Sequence, residues 1–223
     1  MKIYLDSAQV ASWTLPAGCP PVAGVTTNPT LVYQAGLPVT LASYARLIQA
    51  AADHGVAELM LQLPEPDMAT ALAWQERLRT LAEDVRLKLT IKLPCHPDWL
   101  HCITAMGDAN QAVLLTGLSN PVQLLWAQSL GVAYVAPYVG RLAADGRDVW
   151  ALIGACVAVQ ASGPALLAAS IKSPEVLAKL IACGAAAVTL PPQSLIDWSD
   201  DALTQAAIAQ FERDSAASLN LAS

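Results

Sequence analysis

The sequence predicts an α/β protein, a (β/α)8 TIM barrel in which residues 1–223 form one domain. Eight short apolar runs, each followed by turn residues and then by helical periodicity, match the number of strands that closes a parallel barrel. A length of 223 residues suits that architecture, which commonly needs about 200 to 250. Hydrophobic residues make up 55% of the chain and charged residues only 13%, as expected when many strands are buried on both faces.

The strand runs are, in chain order, Ile3 to Leu5, Ala23 to Thr26, Leu59 to Leu63, Leu89 to Leu93, Ala112 to Thr116, Tyr134 to Tyr138, Ala165 to Ser170 and Ala187 to Leu190. Between them lie helices with recognisable ends. One runs from Leu41 to His54, and another follows Asp67 as far as Glu83. Asn120-Pro121 opens a segment that stops at Gly131, and Ser173-Pro174 opens one that stops at Gly184. A polar cap, a proline in the first turn and a glycine after the last turn stand at the correct ends. The tail, about residues 201–219, supplies a final helix.

Residues 149 to 171 carry no charge and approach the roughly 20 residues that span a bilayer. Gln160, Ser162, Gly163 and Pro164 interrupt them, so a helix, a turn and a buried strand are expected instead. No membrane partner is expected. The start, Met1-Lys2-Ile3-Tyr4-Leu5-Asp6, lacks the apolar core of a signal peptide, which points to a cytoplasmic protein. Five cysteines in no regular framework fit reduced thiols. A net charge of −6 offers no electrostatic footprint for nucleic acid.

Strand parity sorts the ends of the runs into helix-facing and interior-facing positions. In Leu87-Lys88-Leu89-Thr90-Ile91-Lys92-Leu93-Pro94, the Lys92 ammonium lies opposite Leu89, Ile91 and Leu93. If those three pack against helices, Lys92 points into the barrel, where it must find a counter-charge or give up its proton. A neutral amine is a nucleophile for carbonyl carbon. The same parity turns Asp6, Gln62, Thr116, Tyr138 and Ser170 inward at the ends of five other strands. Chemistry in this architecture is placed at the carboxyl ends of the strands.

Leu5-Asp6-Ser7-Ala8, Gly24-Val25-Thr26-Thr27-Asn28-Pro29, Ile91-Lys92-Leu93-Pro94, Tyr134-Val135-Ala136-Pro137-Tyr138-Val139 and Ala168-Ala169-Ser170-Ile171-Lys172 resemble the transaldolase family in order and spacing. The short length resembles its small-transaldolase and fructose 6-phosphate aldolase branch. The resemblance implies that Lys92 forms a Schiff base with a ketone and that Asp6 handles the proton of the hydroxyl on the bond being cleaved. Ser7 to Val10 begins a helical stretch, so a capping role competes for Asp6. Gln62 and Tyr138, where classical members have glutamate and phenylalanine, are similar to the aldolase type. With Thr116 they would hold the water used in imine formation and hydrolysis. Thr26 and Asn28 would contact substrate, with Thr27 lining the same strand end. Arg141, Ser170 and Lys172 would form a phosphate end.

The implied activity is a class I aldolase that makes or cleaves a ketose phosphate, such as fructose 6-phosphate, through dihydroxyacetone and glyceraldehyde 3-phosphate. The alternatives are transfer of the dihydroxyacetone unit between sugar phosphates and a non-catalytic sugar-phosphate-binding barrel. No cofactor is implied. Similar enzymes assemble into rings or stacked rings, so a homo-oligomer is expected.

Two segments depart from the family pattern. Cys95-His96-Pro97-Asp98-Trp99 replaces a threonine or serine followed by glutamate and glycine, and Gly140 stands where relatives often have asparagine or serine. Gly140 is expected to loosen or reshape the phosphate end. Cys95, His96, Asp98, His101 and Cys102 do not fall into a standard zinc spacing, and no metal site is expected.

Overall fold

A computed structural model describes residues 1–219. Eight strands close into an all-parallel barrel in sequence order: β1 (Lys2–Asp6), β2 (Gly24–Thr26), β3 (Glu58–Gln62), β4 (Lys88–Pro94), β5 (Val113–Leu118), β6 (Tyr134–Pro137), β7 (Ala165–Ala168) and β8 (Ala187–Leu190), with β8 pairing back onto β1. All eight runs read from the sequence are strands. The ends of β6 and β7 fall short of Tyr138 and Ser170, and Tyr138 instead forms a single bridge to Ala169.

The helices are α1 (Pro29–Gln34), α2 (Leu41–Asp53), α3 (Met68–Asp84), α4 (Leu100–Asp108), α5 (Pro121–Ser129), α6 (Val139–Ala144), α7 (Val149–Val159), α8 (Pro174–Cys183), α9 (Pro192–Ser199) and α10 (Ala202–Leu219). The expected caps are made. Asp67 accepts from the Thr70 amide at 2.7 Å, and Asn120 and Gln123 form a reciprocal capping box. Gly184 takes the left-handed conformation at φ 82° that ends α8. Residues 149 to 171 form α7, a turn and β7, and among the described residues no helix is long and apolar enough to cross a membrane.

Parity divides the apolar residues into two separate layers. Leu5, Val25, Leu59, Leu61, Ile91, Leu93, Leu115, Val135, Leu166 and Val188 face outward and pack against helix residues such as Leu47, Ile48, Leu78 and Ile103. Inside the barrel, Tyr4, Met60, Leu114, Tyr134, Ala136, Leu167 and Ala187 form a second cluster. This plug closes the barrel from below, so polar groups above it can meet only across the carboxyl ends of the strands. Trp74, Trp126 and Trp150 pack on the outer layer from their helices, and the Trp74 ring meets Tyr44 edge-on at 5.4 Å between centroids.

At the amino end of the barrel, a buried carboxylate ties three strands together. Glu58 accepts from Tyr4 Oη at 2.8 Å and from Thr90 Oγ1 at 2.6 Å, and Lys88 Nζ lies 3.1 Å from it. Burial of the Tyr4 phenol, together with its hydrogen bonds and the nearby Glu58 charge, holds its pKa well above the usual range.

Candidate active site

Lys92 is 5% exposed near the end of β4, where it pairs with Gln62 on β3 and Leu114 on β5. Its Nζ donates to the main-chain carbonyl of Thr27 at 2.5 Å. Burial lowers the pKa of this amine from 10.5 to about 8, against the opposing pull of the Asp6 charge. About a tenth of it is therefore uncharged at pH 7, far more than for an ordinary lysine.

One cavity of about 630 Å³ lies above the inner apolar cluster, at the carboxyl ends of the strands. Asp6, Thr26, Asn28, Gln62, Lys92, Thr116, Tyr138, Arg141, Ser170 and Lys172 all line it, so every site residue expected from the sequence reaches one place. They come from the ends of β1 to β7 and the segments that follow them. Convergence on this scale is the reason to treat the cavity as the reactive centre.

The individual placements differ in detail from the expectations. Asp6 is not a helix cap: Gln9 precedes the short 3-10 turn over Val10–Ser12 with no side-chain cap, and it is Ser7 Oγ that accepts from the Gln9 amide, at 3.0 Å. The Asp6 carboxylate instead accepts from Thr26 Oγ1 at 3.0 Å. Asn28 does cap α1, accepting from the Leu31 amide at 2.9 Å, and still borders the cavity. Thr27 does not line the cavity. Its hydroxyl donates to the Met60 carbonyl at 3.0 Å, and it serves the site through its main-chain oxygen.

Thr116 Oγ1 and Tyr138 Oη share a hydrogen bond of 2.5 Å on one wall, while Gln62 offers its side-chain amide on another. The Arg141 guanidinium stacks 4.6 Å from the centroid of the Tyr138 ring, which orients a fork of donors at the cavity rim. Lys172 is exposed but borders the same rim.

Ser170 arrives by a route that parity did not foresee. Ala165 and Leu167 belong to the inner layer and Ala169 lines the cavity, so strict alternation would turn Ser170 toward the helices. Its backbone is left-handed, at φ 60°, and this reversal brings its side chain to the cavity. Gly140 does not loosen this end. A Cβ there would stand 2.6 Å from the Ser170 carbonyl oxygen and 2.9 Å from Lys172 Cγ, so the bare backbone allows α6 to pack tightly against the β7 end. The Gly140 amide donates to that same carbonyl at 2.9 Å.

The segment after β4 is braced. Cys95 is buried, and its carbonyl accepts from Gln123 Nε2 at 2.8 Å, which ties the loop to the start of α5. His96 caps a short 3-10 turn over Pro97–Trp99, Trp99 is buried, and His101 Nε2 meets the Pro66 carbonyl at 3.1 Å. Among the described residues, no three His, Cys, Asp or Glu side chains converge. Burial pushes the Cys95 thiol up to about 11.

Thr189 on β8 was not among the expected site residues. It lines the cavity, is 3% exposed, and lies 2.7 Å from Thr26 Oγ1. The signal was present, since Thr189 shares the inward parity of Ala187, but Leu190 rather than a polar residue ends that run.

A buried amine of lowered pKa, opposite a carboxylate and among neutral hydroxyl and amide groups, can form and hydrolyse an imine and move protons beside it. Comparisons with known proteins agree with such chemistry. Probable transaldolases of Clostridium kluyveri, Caulobacter vibrioides and Dehalococcoides mccartyi are 26%, 28% and 27% identical to the chain. Each alignment covers 96% of this chain, and 97%, 96% and 97% of the respective relatives. A doubly substituted flavocytochrome b2 with sulfite bound superposes with a TM-score of 0.56 at 13% identity, over 89% of this chain and 59% of that one, a likeness of fold alone. Residues 3–222 match the family described as Transaldolase/Fructose-6-phosphate aldolase, and the chain therefore belongs to that family as an enzyme, an aldolase or a transaldolase.

Proposed function

We propose that the chain is a Schiff-base aldolase that cleaves or forms a ketose phosphate, with dihydroxyacetone and an aldehyde phosphate such as glyceraldehyde 3-phosphate as the two halves. The observation that carries this reading is Lys92, an interior amine held near a pKa of about 8 within a cavity that Asp6 also lines. The Lys92 nitrogen adds to the ketone carbon and water leaves, giving an iminium. Asp6 then takes the proton of the hydroxyl on the far carbon of the breaking bond, the carbon that becomes the aldehyde. The carbon–carbon bond opens, its electron pair moves into the iminium to give an enamine, and the aldehyde departs. Protonation of the enamine carbon and addition of water to the iminium free dihydroxyacetone and restore the amine.

Gln62, Thr116 and Tyr138 hold the water in this scheme. All three are neutral hydrogen-bonding groups on the cavity wall, which suits a water that must both give and accept protons. Thr26 and Asn28 contact the sugar hydroxyls. Arg141, Ser170 and Lys172 take the phosphate, with Arg141 supplying the planar donor fork. The chemistry calls for no cofactor.

The second reading is transfer, in which the three-carbon unit stays on Lys92 until another aldose arrives. Its support is the relatives' description as probable transaldolases. Product analysis with fructose 6-phosphate and no added acceptor separates the two. Free dihydroxyacetone formed over many turnovers supports the aldolase, and its absence without an acceptor overturns it. Borohydride with a ketose, followed by peptide mass mapping, tests both against a non-catalytic binder, which would leave Lys92 unmodified. We also propose association with further copies of the chain, supported by α10, which buries none of its residues and exposes Leu203, Ile208 and Phe211.

A further inference from the structure

We propose that Thr189 is a positioning residue that commits the hydroxyl proton of Thr26 to Asp6. This rests on the reading of Asp6 as the group that takes the substrate proton. Strand β1 lies between β2 and β8, and the three side chains meet on its inner face: Asp6 from β1, Thr26 from β2 and Thr189 from β8. Thr26 is completely buried and Thr189 nearly so, so their hydroxyls find partners among the groups packed beside them.

The direction of the hydrogen bonds follows from counting protons. Thr26 Oγ1 has one, and three oxygens surround it: Asp6 Oδ1 at 3.0 Å, the Leu5 carbonyl at 3.5 Å and Thr189 Oγ1 at 2.7 Å. An ionised carboxylate and a carbonyl only accept. If Thr26 donated to Thr189, the carboxylate oxygen and the Thr26 oxygen would face each other with lone pairs alone. The arrangement that avoids this has Thr189 donating to Thr26 and Thr26 donating to Asp6. Donation from Thr189 occupies a lone pair of Thr26 and fixes the rotation of its hydroxyl, so the proton points to Asp6 rather than to the competing Leu5 carbonyl. A hydrogen bond that is itself supported by a donor is also strengthened.

Thr189 therefore acts on the reaction without taking a proton from substrate. By holding the donor on Asp6 it fixes the rotation of the carboxylate, which must lie within hydrogen-bond reach of the hydroxyl whose proton it takes. Removing the Thr189 hydroxyl leaves Thr26 free to turn away, and the Asp6 carboxylate then loses the contact that orients it.

The test compares the wild-type protein with Thr189→Val, of nearly equal volume, and Thr189→Ser. For cleavage of fructose 6-phosphate, Thr189→Val is expected to lower kcat about fivefold to tenfold, with KM changed less than twofold. Thr189→Ser, which keeps the hydroxyl, is expected to restore the rate. Borohydride labelling of Lys92 with dihydroxyacetone, which involves no bond cleavage by Asp6, is expected to proceed at the wild-type rate in all three. In the Thr26→Val background, Thr189→Val should add no further loss, because it acts through Thr26. An unchanged kcat in Thr189→Val, a loss that Thr189→Ser does not restore, or an equal loss of labelling overturns the assignment. A wild-type protein that is not labelled at Lys92 overturns the aldolase reading itself, together with this one.

Discussion

The Nζ of Lys92 donates to the carbonyl of Thr27, so the amine of β4 is held at the end of β2 rather than by a carboxylate. A carbonyl offers no full negative charge to hold a proton on the lysine. Burial thus prevails, and the pKa falls to about 8. Borohydride labelling should therefore accelerate as pH rises toward 8 and level off above it. Asp6 opposes the fall, so Asp6→Asn should move that rise to lower pH while abolishing cleavage. A labelling profile that moves to higher pH in Asp6→Asn contradicts the assignment.

The same burial has a cost in stability, because the unfolded chain holds its lysine proton up to the ordinary 10.5. Below pH 8 both states are protonated and the folded state bears the full penalty; the penalty disappears as pH climbs from about 8 to 10.5. Lys92→Met, which fills similar volume without charge, should be more stable than wild type at pH 7 by up to roughly 3 kcal/mol. It should have no measurable activity. Urea unfolding at pH 7 and pH 10.5 checks the sign, since the advantage should shrink at the higher pH.

Tyr138 and Thr116 place their hydroxyls 2.5 Å apart on the cavity wall assigned to the water. Tyr138→Phe removes one holder and leaves Thr116 without its partner, while the ring under Arg141 stays. Release of free dihydroxyacetone, which needs protonation and hydrolysis, should fall by about a hundredfold, within the range for general acid–base groups. Transfer to an added aldose also ends in hydrolysis of an iminium but skips protonation of the enamine carbon, so it should fall less. Equal loss of both, read by product chromatography, would show that Tyr138 has no part in protonating the enamine.

Much of this site was legible because barrel geometry turns a two-residue alternation into a map. Lys92, Gln62, Thr116, Tyr138 and Asp6 follow parity from the apolar residues beside them, and parity depends only on local backbone. Ser170 was correctly placed for the wrong reason: a left-handed residue reversed the alternation, and a serine carries no sign that its φ will be 60°. The Thr27 carbonyl contact was invisible because a main-chain oxygen has no letter in the sequence. Helices α1 and α6 were missed because six residues cover less than two turns, too few for a 3.6-residue period to appear. For α1, the pair Asn28-Pro29 repeated the signal read correctly at Asn120-Pro121.

Gly140 offers a direct test of how tightly the end of β7 is held. In Gly140→Ala the new Cβ must displace the Ser170 carbonyl, 2.6 Å away, and disturb Lys172 Cγ, 2.9 Å away. Overpacking of this kind costs about 1–3 kcal/mol. Because Ser170 and Lys172 border the rim with Arg141, KM for a phosphorylated acceptor should rise severalfold, and KM for dihydroxyacetone should change little. Equal changes in the two constants would show that the rim does not separate phosphate from donor.

Glu58 tests whether the amino end of the barrel contributes stability without chemistry. The residue is 3% exposed, and its two oxygens satisfy the hydroxyls of Tyr4 and Thr90 inside the barrel. The third partner, Lys88, is 54% exposed, and losing it should matter little because water can replace the carboxylate. The penalty in Glu58→Ala therefore comes from two buried hydroxyls left unpaired and from the cavity, roughly 3 kcal/mol in all. For a chain of this size that corresponds to a fall in Tm of about 6 to 12 °C. Glu58→Gln keeps an acceptor for one hydroxyl and should lose about half as much. Neither change reaches the lining of the cavity above the inner cluster, so kcat at 25 °C should stay within twofold of wild type in both. A large loss of kcat in a folded Glu58→Gln protein would mean that the two ends of the barrel are coupled through Tyr4 and Thr90, and the separation argued here would be wrong.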